Sequence, residues 1–190
     1  MNRIAIDLEL HSDGKTTGKI IQLGYSIFNT ETSEVLYTGG DFIQTGEPLS
    51  DYIISLTGIQ ERYIQEQGVT LQQAYENMYA KCDEFNVKFS QIVEWGSGDV
   101  SQLKEELGNS VSWKFGRASL NLKAVYQMFR IAKRENYSGG LKRSIKNLGK
   151  EFQSFKDPVT GRMRGNHDAR ADALNTALMY LYLQKEITIG

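Results

Sequence analysis

The chain has 190 residues, of which 40% are hydrophobic and 24% charged, enough for a full hydrophobic core and typical of a soluble globular protein. Cys82 is the only cysteine, which excludes a disulfide framework and a cysteine-based zinc site. No apolar run is long enough to span a bilayer and the first residues lack a secretory pattern, so we expect a cytoplasmic protein without a membrane partner.

The net charge of −1 conceals a strong segregation of charge along the chain. Residues 1–113 carry 7 basic and 17 acidic side chains, whereas residues 114–164, the basic block, carry 13 basic and 3 acidic ones. Such a block can hold a polyanion by neutralising its phosphates, or it can be a solvated helical surface. Charge alone leaves both interpretations open.

The first strand is predicted over Arg3–Leu10 from its branched apolar residues. Because side chains alternate along a strand, Asp7 and Glu9 project from one face and their apolar neighbours from the other. Two adjacent carboxylates repel each other, and a hard cation such as Mg2+ or Mn2+ would relieve that repulsion. The alternative is an edge strand that exposes two solvated acids.

Two further strands follow a polar loop at residues 11–18 and complete an antiparallel meander. They are predicted over Lys19–Phe28 and Glu34–Thr45 from their β-branched and aromatic residues. The pair Gly39–Gly40 predicts a break or bulge within the second of them.

Helices then alternate with two short strands, which are predicted over Gln91–Trp95 and Ser110–Phe115. The helices are predicted over Tyr52–Ser55, from Gln60 onward, and over Leu71–Phe89, Asp99–Leu107, Asn121–Arg134, Leu141–Lys150 and Asp168–Lys185. This order predicts an α/β fold with a mixed sheet flanked by helices. Since no repeat or linker interrupts it, a single domain is predicted over residues 1–190.

Three further residues combine acid or base chemistry with a change in secondary structure. Asp99 follows the Trp95-Gly-Ser-Gly98 segment at a strand-to-helix junction, where it is also a good helix N-cap. His167 precedes Asp172 by five residues, and within one helix that spacing puts the side chains about 140° apart. The pair converges only if His167 lies in the loop before the helix; otherwise both are ordinary surface residues.

Four carboxylates and a histidine from separate parts of the chain fit a two-metal phosphodiesterase. Two cations about 3.5–4 Å apart can position a water, neutralise the attacked phosphate and stabilise the departing oxygen. A histidine with a pKa of about 6.5 can take the proton from that water at neutral pH.

The same residues, in their order and spacing, resemble the motifs of the DEDDh family of 3′–5′ exonucleases, which includes proofreading exonuclease subunits, ribonuclease T and oligoribonuclease. The matching segments are Ile6–Glu9, Asp99 and residues 167–173, with Ile20–Gly24, Leu56–Ile59 and Leu141–Phe152 in support. The resemblance covers nearly the whole chain. It implies a ribonuclease H-like fold with a mixed five-stranded sheet.

The resemblance also implies a role for each acid and for the histidine. Asp7, Glu9 and Asp172 would hold the tighter of two Mg2+ or Mn2+ ions. Asp7 would also touch the second ion, and Asp99 would act directly or through waters. His167 would be the general base.

By the same resemblance, the pocket of the 3′-terminal nucleotide would be lined by Leu10 and the turn formed by Thr57, Gly58 and Ile59. Leu10 stands where the family often has threonine, so recognition of the terminal base departs from the family pattern. His11 lies close to the acids in sequence, and no catalytic role is assigned to it.

The implied activity is hydrolysis of single-stranded nucleic acid from its 3′ end to nucleoside 5′-monophosphates. The segment from Trp95 to Asp99 is similar to a form found in some exoribonuclease branches, which favours RNA over DNA. One alternative is a single-stranded DNA exonuclease for processing or proofreading. Another is a nucleic-acid-binding module that kept the fold and lost catalysis, against which the five filled positions argue. Assembly into a homodimer is left open.

Overall fold

The computed structural model describes residues 1–12, 17–87, 91–156 and 163–189 and contains a five-stranded sheet with the strand order β3-β2-β1-β4-β5. The long strands β1 (Asn2–Ser12), β2 (Thr17–Asn29) and β3 (Glu34–Phe42) form the predicted antiparallel meander. The short strands β4 (Val93–Glu94) and β5 (Leu120–Asn121) extend the sheet in parallel beyond β1. The predicted mixed five-stranded sheet is confirmed.

Seven α-helices lie in the described part of the chain. They are α1 (Asp51–Thr57), α2 (Glu61–Gln67), α3 (Leu71–Glu84), α4 (Asp99–Leu107), α5 (Leu122–Ala132), α6 (Leu141–Asn147) and α7 (Ala169–Ile189). A small hairpin of β6 (Phe155–Lys156) and β7 (Met163–Arg164) lies between α6 and α7, where no strand was predicted. Among these described helices, none combines the length and the apolar character that crossing a bilayer demands.

The predicted strand over Ser110–Phe115 is wrong. Its aromatic residues instead build a cluster on α3, where the ring of Trp113 stacks on that of Tyr75 at 5.7 Å and meets that of Phe115 at 5.5 Å. The fifth strand forms later, at Leu120–Asn121. An aromatic-rich segment favours a strand by propensity, but packing on a neighbouring helix overrides that preference here.

The predicted break in β3 at Gly39–Gly40 is also wrong, since β3 runs through both glycines and its pairing shifts instead beside Phe28. A Cβ atom on Gly40 would lie 2.9 Å from Cγ of Arg170, so this glycine makes room for a side chain of α7. Helix α3 ends at Glu84, earlier than predicted. Residues 13–16, 88–90 and 157–162, which include most of the polar loop after β1, lie outside the described residues.

Side-chain alternation along β1 divides the core into two clusters on opposite faces of the sheet. Ile4, Ile6 and Leu8 pack with α3 and α4, whereas Ala5 packs on the face that is covered by α5, α6 and α7. Burying one such isoleucine contributes about 1.5–3 kcal/mol, so this register is strongly fixed. The next residues on the Ala5 face are Asp7 and Glu9, and the register therefore places both acids under α7.

Candidate active site

The first turn of α7 lies directly over the acids of β1. Asp172 is in this first turn, and Asp7 pairs across the sheet with Gly24 on β2. A Cβ atom on Gly24 would lie 2.1 Å from the carbonyl carbon of Ala169, so only glycine permits the observed approach of helix and sheet. The close approach brings Asp172 down to Glu9.

His167 is held in the loop immediately before α7. Its φ of +67° is left-handed, a conformation that costs a residue other than glycine about 1–2 kcal/mol. Its backbone N–H donates to Oδ2 of Asp172 at 2.9 Å, which stabilises that conformation. One ligand atom from each of Glu9, His167 and Asp172 lies within 4.8 Å of the other two. The predicted convergence of His167 and Asp172 across the loop–helix boundary agrees with this geometry.

Asp99 reaches the same region from the end of β4. Val93 on β4 pairs in parallel with Ala5 on β1, so the chain leaves β4 beside the acids of β1. Gly96 and Gly98 then turn the backbone with φ values of +104° and +134°, and Asp99 opens α4. We refer to Asp99 together with Asp7, Glu9 and Asp172 as the acid cluster.

Burial and mutual repulsion raise the pKa of each member of the acid cluster. Burial is the main reason that the pKa of Asp7 lies well above its ordinary value, and the charges of Asp172 and Asp99 add to it. Burial and then the charge of Asp172 raise the pKa of Glu9 to about 8. Burial likewise raises the pKa values of Asp99 and Asp172 to about 7 each. Burial, with repulsion from neighbouring acids added to it, therefore outweighs the positive charge that the surrounding residues supply.

The donor set of the acid cluster fits a hard divalent cation. Oδ1 of Asp172 is buried and accepts no hydrogen bond from the described residues, while Oδ2 accepts the N–H of His167. A buried carboxylate oxygen without a partner costs free energy, which a bound cation would recover. Carboxylate oxygens are also the ligands that Mg2+ and Mn2+ prefer.

The imidazole of His167 has the opposite electrostatic surroundings. Burial lowers the pKa of His167, and the charge of Lys142 lowers it further. The ring is therefore neutral at pH 7 and keeps one nitrogen free to accept a proton or to bind a cation. The same Lys142 charge also opposes the rise in the pKa of Asp172.

Asp168 follows His167 directly but belongs to a different network. Its carboxylate, 1% exposed, accepts hydrogen bonds from Arg170 at 2.9 and 3.1 Å and pairs with Nε of Arg164 at 3.2 Å. The side-chain amide of Gln22 on β2 donates to it at 3.3 Å. Burial alone would raise the pKa of Asp168, but the hydrogen bond and charge of Arg170, helped by Arg164, hold it below its ordinary value. The charged carboxylate of Asp168 thus links the start of α7 to β2 and β7.

Glu94 is a further buried acid, and no sequence motif marks it. It is 1% exposed, accepts the backbone N–H of Val100 at 3.1 Å, and accepts the hydroxyl of Ser119. It therefore caps α4 and fixes the turn that carries Asp99. The available signal for such residues is a polar side chain inside an apolar strand, as at Glu94 on β4 and Gln22 on β2.

The residues predicted to contact the terminal nucleotide have different surroundings. Thr57 and Gly58 line a groove of about 710 Å3 that also reaches Asn166. Ile59 is completely buried in the cluster beneath α1 and α2, so it supports this groove without lining it, which differs from the expectation. Leu10 is half-buried and packs against the core.

His11 has a structural contact. Its Nε2 accepts the backbone N–H of Ser50 at 3.2 Å, and Oγ of Ser50 caps α1 by accepting the N–H of Ile53 at 3.2 Å. The same hydroxyl donates to the carbonyl oxygen of Ser12. These bonds tie the end of β1 to α1, whose last residue is Thr57.

The fold of this protein is similar to those of several solved structures. No family model matches the sequence, and no curated protein matches it. The nuclease domain of 3′hExo, a DEDDh family member, bound to rAMP, matches with a TM-score of 0.78 and 21% identity over 97% of this chain and 92% of that one. Cell-death related nuclease 4 (CRN-4) matches with a TM-score of 0.77 and 18% identity over 100% of this chain and 64% of that one.

Exonuclease I of E. coli in complex with a dA16 oligonucleotide matches with a TM-score of 0.69 and 14% identity. The match covers 98% of this chain but 43% of exonuclease I, so this chain spans less than half the length of that enzyme. The chain has the ribonuclease H-like fold of the DEDDh 3′-exonucleases, in agreement with the resemblance of its motifs.

Proposed function

We propose that this protein is a metal-dependent 3′–5′ exonuclease that hydrolyses single-stranded nucleic acid, RNA in preference to DNA, to nucleoside 5′-monophosphates. The observation that carries the proposal is that one ligand atom from each of Glu9, His167 and Asp172 lies within 4.8 Å of the other two. The charges of Asp7 and Asp99 are close enough to repel those of the other acids. Acids and a histidine in this arrangement meet the requirements of two-metal phosphodiester hydrolysis.

The acid cluster is proposed to hold two Mg2+ or Mn2+ ions. Asp7, Glu9 and Asp172 would hold one of them, and Asp7 and Asp99 the other, directly or through water. When bound, the ions would supply positive charge at the attacked phosphate and at the departing oxygen. The buried Oδ1 of Asp172 and the raised pKa values of the acids support this assignment, because both reflect missing positive charge.

His167 is proposed to be the general base. Its lowered pKa leaves the imidazole neutral at pH 7, ready to take one proton from the water that attacks phosphorus. The bond between phosphorus and O3′ breaks as the new phosphorus–oxygen bond forms, so the phosphate stays on the released nucleotide. The departing O3′ takes up a proton from solvent and becomes the new 3′-hydroxyl of the shortened strand. The hydrogen bond from the backbone of His167 to Asp172 keeps the base beside the acid cluster.

The groove lined by Thr57, Gly58 and Asn166 is proposed to take the 3′-terminal nucleoside. It reaches the residue just before His167, so a nucleoside bound there would present its phosphate to the acid cluster. The hydroxyl of Thr57 already donates to the carbonyl of Ile53 at 2.8 Å and accepts the N–H of Ile59 at 3.0 Å. Because its hydroxyl already has a donor and an acceptor within the protein, Thr57 forms part of the groove wall. Hydrogen bonds to the sugar would come from other groups.

The preference for RNA rests on two likenesses. The segment from Trp95 to Asp99 resembles that of some exoribonuclease branches, and the 3′hExo nuclease domain, with the higher TM-score, is bound to the ribonucleotide rAMP. Single-stranded DNA is the alternative substrate, which the likeness to exonuclease I with dA16 supports.

The test uses matched single-stranded RNA and DNA, each labelled at the 5′ end and incubated with Mg2+ or Mn2+. We expect a ladder that shortens one nucleotide at a time from the 3′ end, faster on RNA, and no reaction in EDTA. Immediate release of a labelled mononucleotide would reverse the polarity. A reaction that persists in EDTA, or the lack of any cleavage with either ion, would overturn the proposal.

A further inference from the structure

A second groove, of about 890 Å3, lies beside α6. Four basic side chains line it, and all four are exposed to solvent: Lys142, Arg143, Lys146 and Lys150. Lys142 and Lys146 are one helical turn apart, so they project on the same side of α6. Phe152 adds an aromatic surface to the groove, and the Lys142 ammonium lies 5.9 Å from the centre of its ring.

The positive charge of this groove is largely uncompensated. Within the described ranges, no salt bridge joins any of these four side chains to a carboxylate, and Glu151 is the acid that lines the groove with them. Two other members of the basic block are neutralised, since Arg130 pairs with Glu135 at 2.8 Å and Lys133 with Glu186 at 3.1 Å. Three of the four groove cations, Lys142, Arg143 and Lys146, lie on α6 itself, so positive charge is concentrated along this helix.

The α6 groove extends to the chain segment that precedes α7. Asn166, the residue before His167, lines both this groove and the one that contains Thr57 and Gly58. Lys142 is also close enough for its charge to act on His167 and Asp172. The two grooves thus meet at Asn166, next to His167 in the chain.

We propose that the α6 groove binds the sugar–phosphate backbone of the strand on the 5′ side of the cleaved bond, with phosphates held by Lys142, Arg143, Lys146 and Lys150. The inference rests on the proposed function, since it assigns the Thr57–Gly58 groove to the 3′-terminal nucleoside and leaves the α6 groove as the exit for the rest of the strand. Exposed lysines act as point charges, so they hold phosphates without reading the base sequence. Phe152 offers one surface on which a base can stack.

The decisive variant is Lys146→Glu, because Lys146 lines the groove but is not among the groups whose charge acts on His167. Its matched control is Lys185→Glu, which makes the same change of charge on an exposed helical lysine. Lys185 lies about 20 Å along α7 from Asp172, given a rise of about 1.5 Å per residue. Any effect of net charge alone would appear equally in both variants.

Binding of a fluorescent single-stranded oligonucleotide is measured by anisotropy in EDTA at several KCl concentrations. We expect Lys146→Glu to weaken binding by roughly fivefold or more and to reduce the slope of log affinity against log salt by about 0.7 for each phosphate that is no longer neutralised. Lys185→Glu should match the wild type. Equal affinity and equal slope for the two variants would overturn the proposal, as would equally tight binding of a poly-glutamate chain of similar charge.

Trimming assays separate this inference from the proposed function. We expect the loss of kcat/KM in Lys146→Glu to be larger for a long oligonucleotide than for a dinucleotide, since only the long strand reaches α6. If the wild type trims and Lys146→Glu shows no such length dependence, the groove assignment is overturned while the exonuclease stands. If the wild type binds strands through Lys146 but trims none, the groove is supported and the exonuclease assignment fails.

Discussion

Acids only four residues apart in this chain have opposite electrostatic surroundings. Asp168 is held in its charged form by Arg164 and Arg170, and its pKa is lowered. Asp172 forms no comparable ion pair with the described residues, and burial raises its pKa to about 7. One acid therefore braces the fold while the other remains available to an external cation. The sequence motifs assigned a role to Asp172 but none to Asp168. The partners of Asp168 lie on β2, on β7 and in the first turn of α7, and these contacts form only in the folded structure.

His167 provides a test at the level of a single side chain. We expect His167→Asn to lower turnover by about 100-fold or more, because the reaction loses its proton acceptor. Asparagine tolerates the left-handed backbone found at this position, so the loop before α7 should keep its conformation. Single-turnover rates on a labelled oligonucleotide, together with calorimetric titration of Mn2+, measure the two effects separately.

The outcome distinguishes a base from a metal ligand, since the imidazole lies close enough to Glu9 and Asp172 for either role. A base predicts a large fall in rate with nearly unchanged Mn2+ affinity. A collapse of Mn2+ affinity in His167→Asn would instead make His167 a ligand. An unchanged rate would remove it from the reaction.

At the level of elements, the site depends on how closely α7 approaches the sheet. Gly24 on β2 and Gly40 on β3 pair with each other and lie beneath the start of α7, where side chains would strike Ala169 and Arg170. The first turn of α7 carries Asp172, and the loop before it carries His167. A displacement of α7 would therefore separate both residues from β1.

Replacement of Gly24 by alanine tests this dependence. The added methyl group would lie 2.1 Å from the carbonyl of Ala169, so we expect Gly24→Ala to lower the free energy of unfolding by about 1–3 kcal/mol or more and to reduce trimming sharply. Gly140→Ala is the control, because nothing lies within 4 Å of a Cβ atom there and it should cost less than about 1 kcal/mol. Urea unfolding measures both, and equal stability of the two variants would contradict the packing argument.

The long elements and β4 were predictable from sequence, whereas the two-residue strands β5, β6 and β7 were not. β1, β2 and α4 carry clear apolar patterns or capping residues, and the structure has them close to the predicted bounds. β5 has only two residues, Leu120–Asn121, which is too short for any alternation to register. Its pairing with β4 is a tertiary contact, and so is the aromatic packing that displaced the strand predicted at Ser110–Phe115.

For the whole molecule, the topology brings together acids from the beginning, the middle and the last part of the chain. β1 lies in the centre of the sheet, α4 follows the adjacent β4, and α7 crosses the other face. The order of the motifs made this convergence predictable. Electrostatic balance was not predictable, because the contrast between the cation-poor acid cluster and the cation-rich α6 groove depends on which surfaces face each other.

The raised pKa values in the acid cluster make the stability of the fold depend on pH. The pKa values of Glu9, Asp99 and Asp172 are raised to about 8, 7 and 7. Without metal, the contribution of these acids to folding stability is therefore greatest below the ordinary carboxyl pKa values. This contribution is lost as the pH rises to about 8. We therefore expect Mg2+ to raise the Tm more at about pH 8.5 than at about pH 5.5, because the acids are charged only at the higher pH. The Tm is measured in Mg2+ and in EDTA at each pH, and the difference between the two removes the contributions of groups outside the cluster. An equal Tm difference at both pH values would contradict cation binding by these acids.

The Asp7→Asn variant, measured for both stability and activity, tests directly whether the acid cluster is a catalytic cation site. The asparagine would keep the shape of the side chain and remove one of the mutually repelling charges, so the metal-free variant should unfold at a Tm equal to or above that of the wild type. Its Mg2+-dependent trimming of a 3′ end should be lost, by about 1,000-fold or more, because the ions lose a ligand. Full trimming activity in a folded Asp7→Asn protein would show that the acid cluster is not the catalytic cation site.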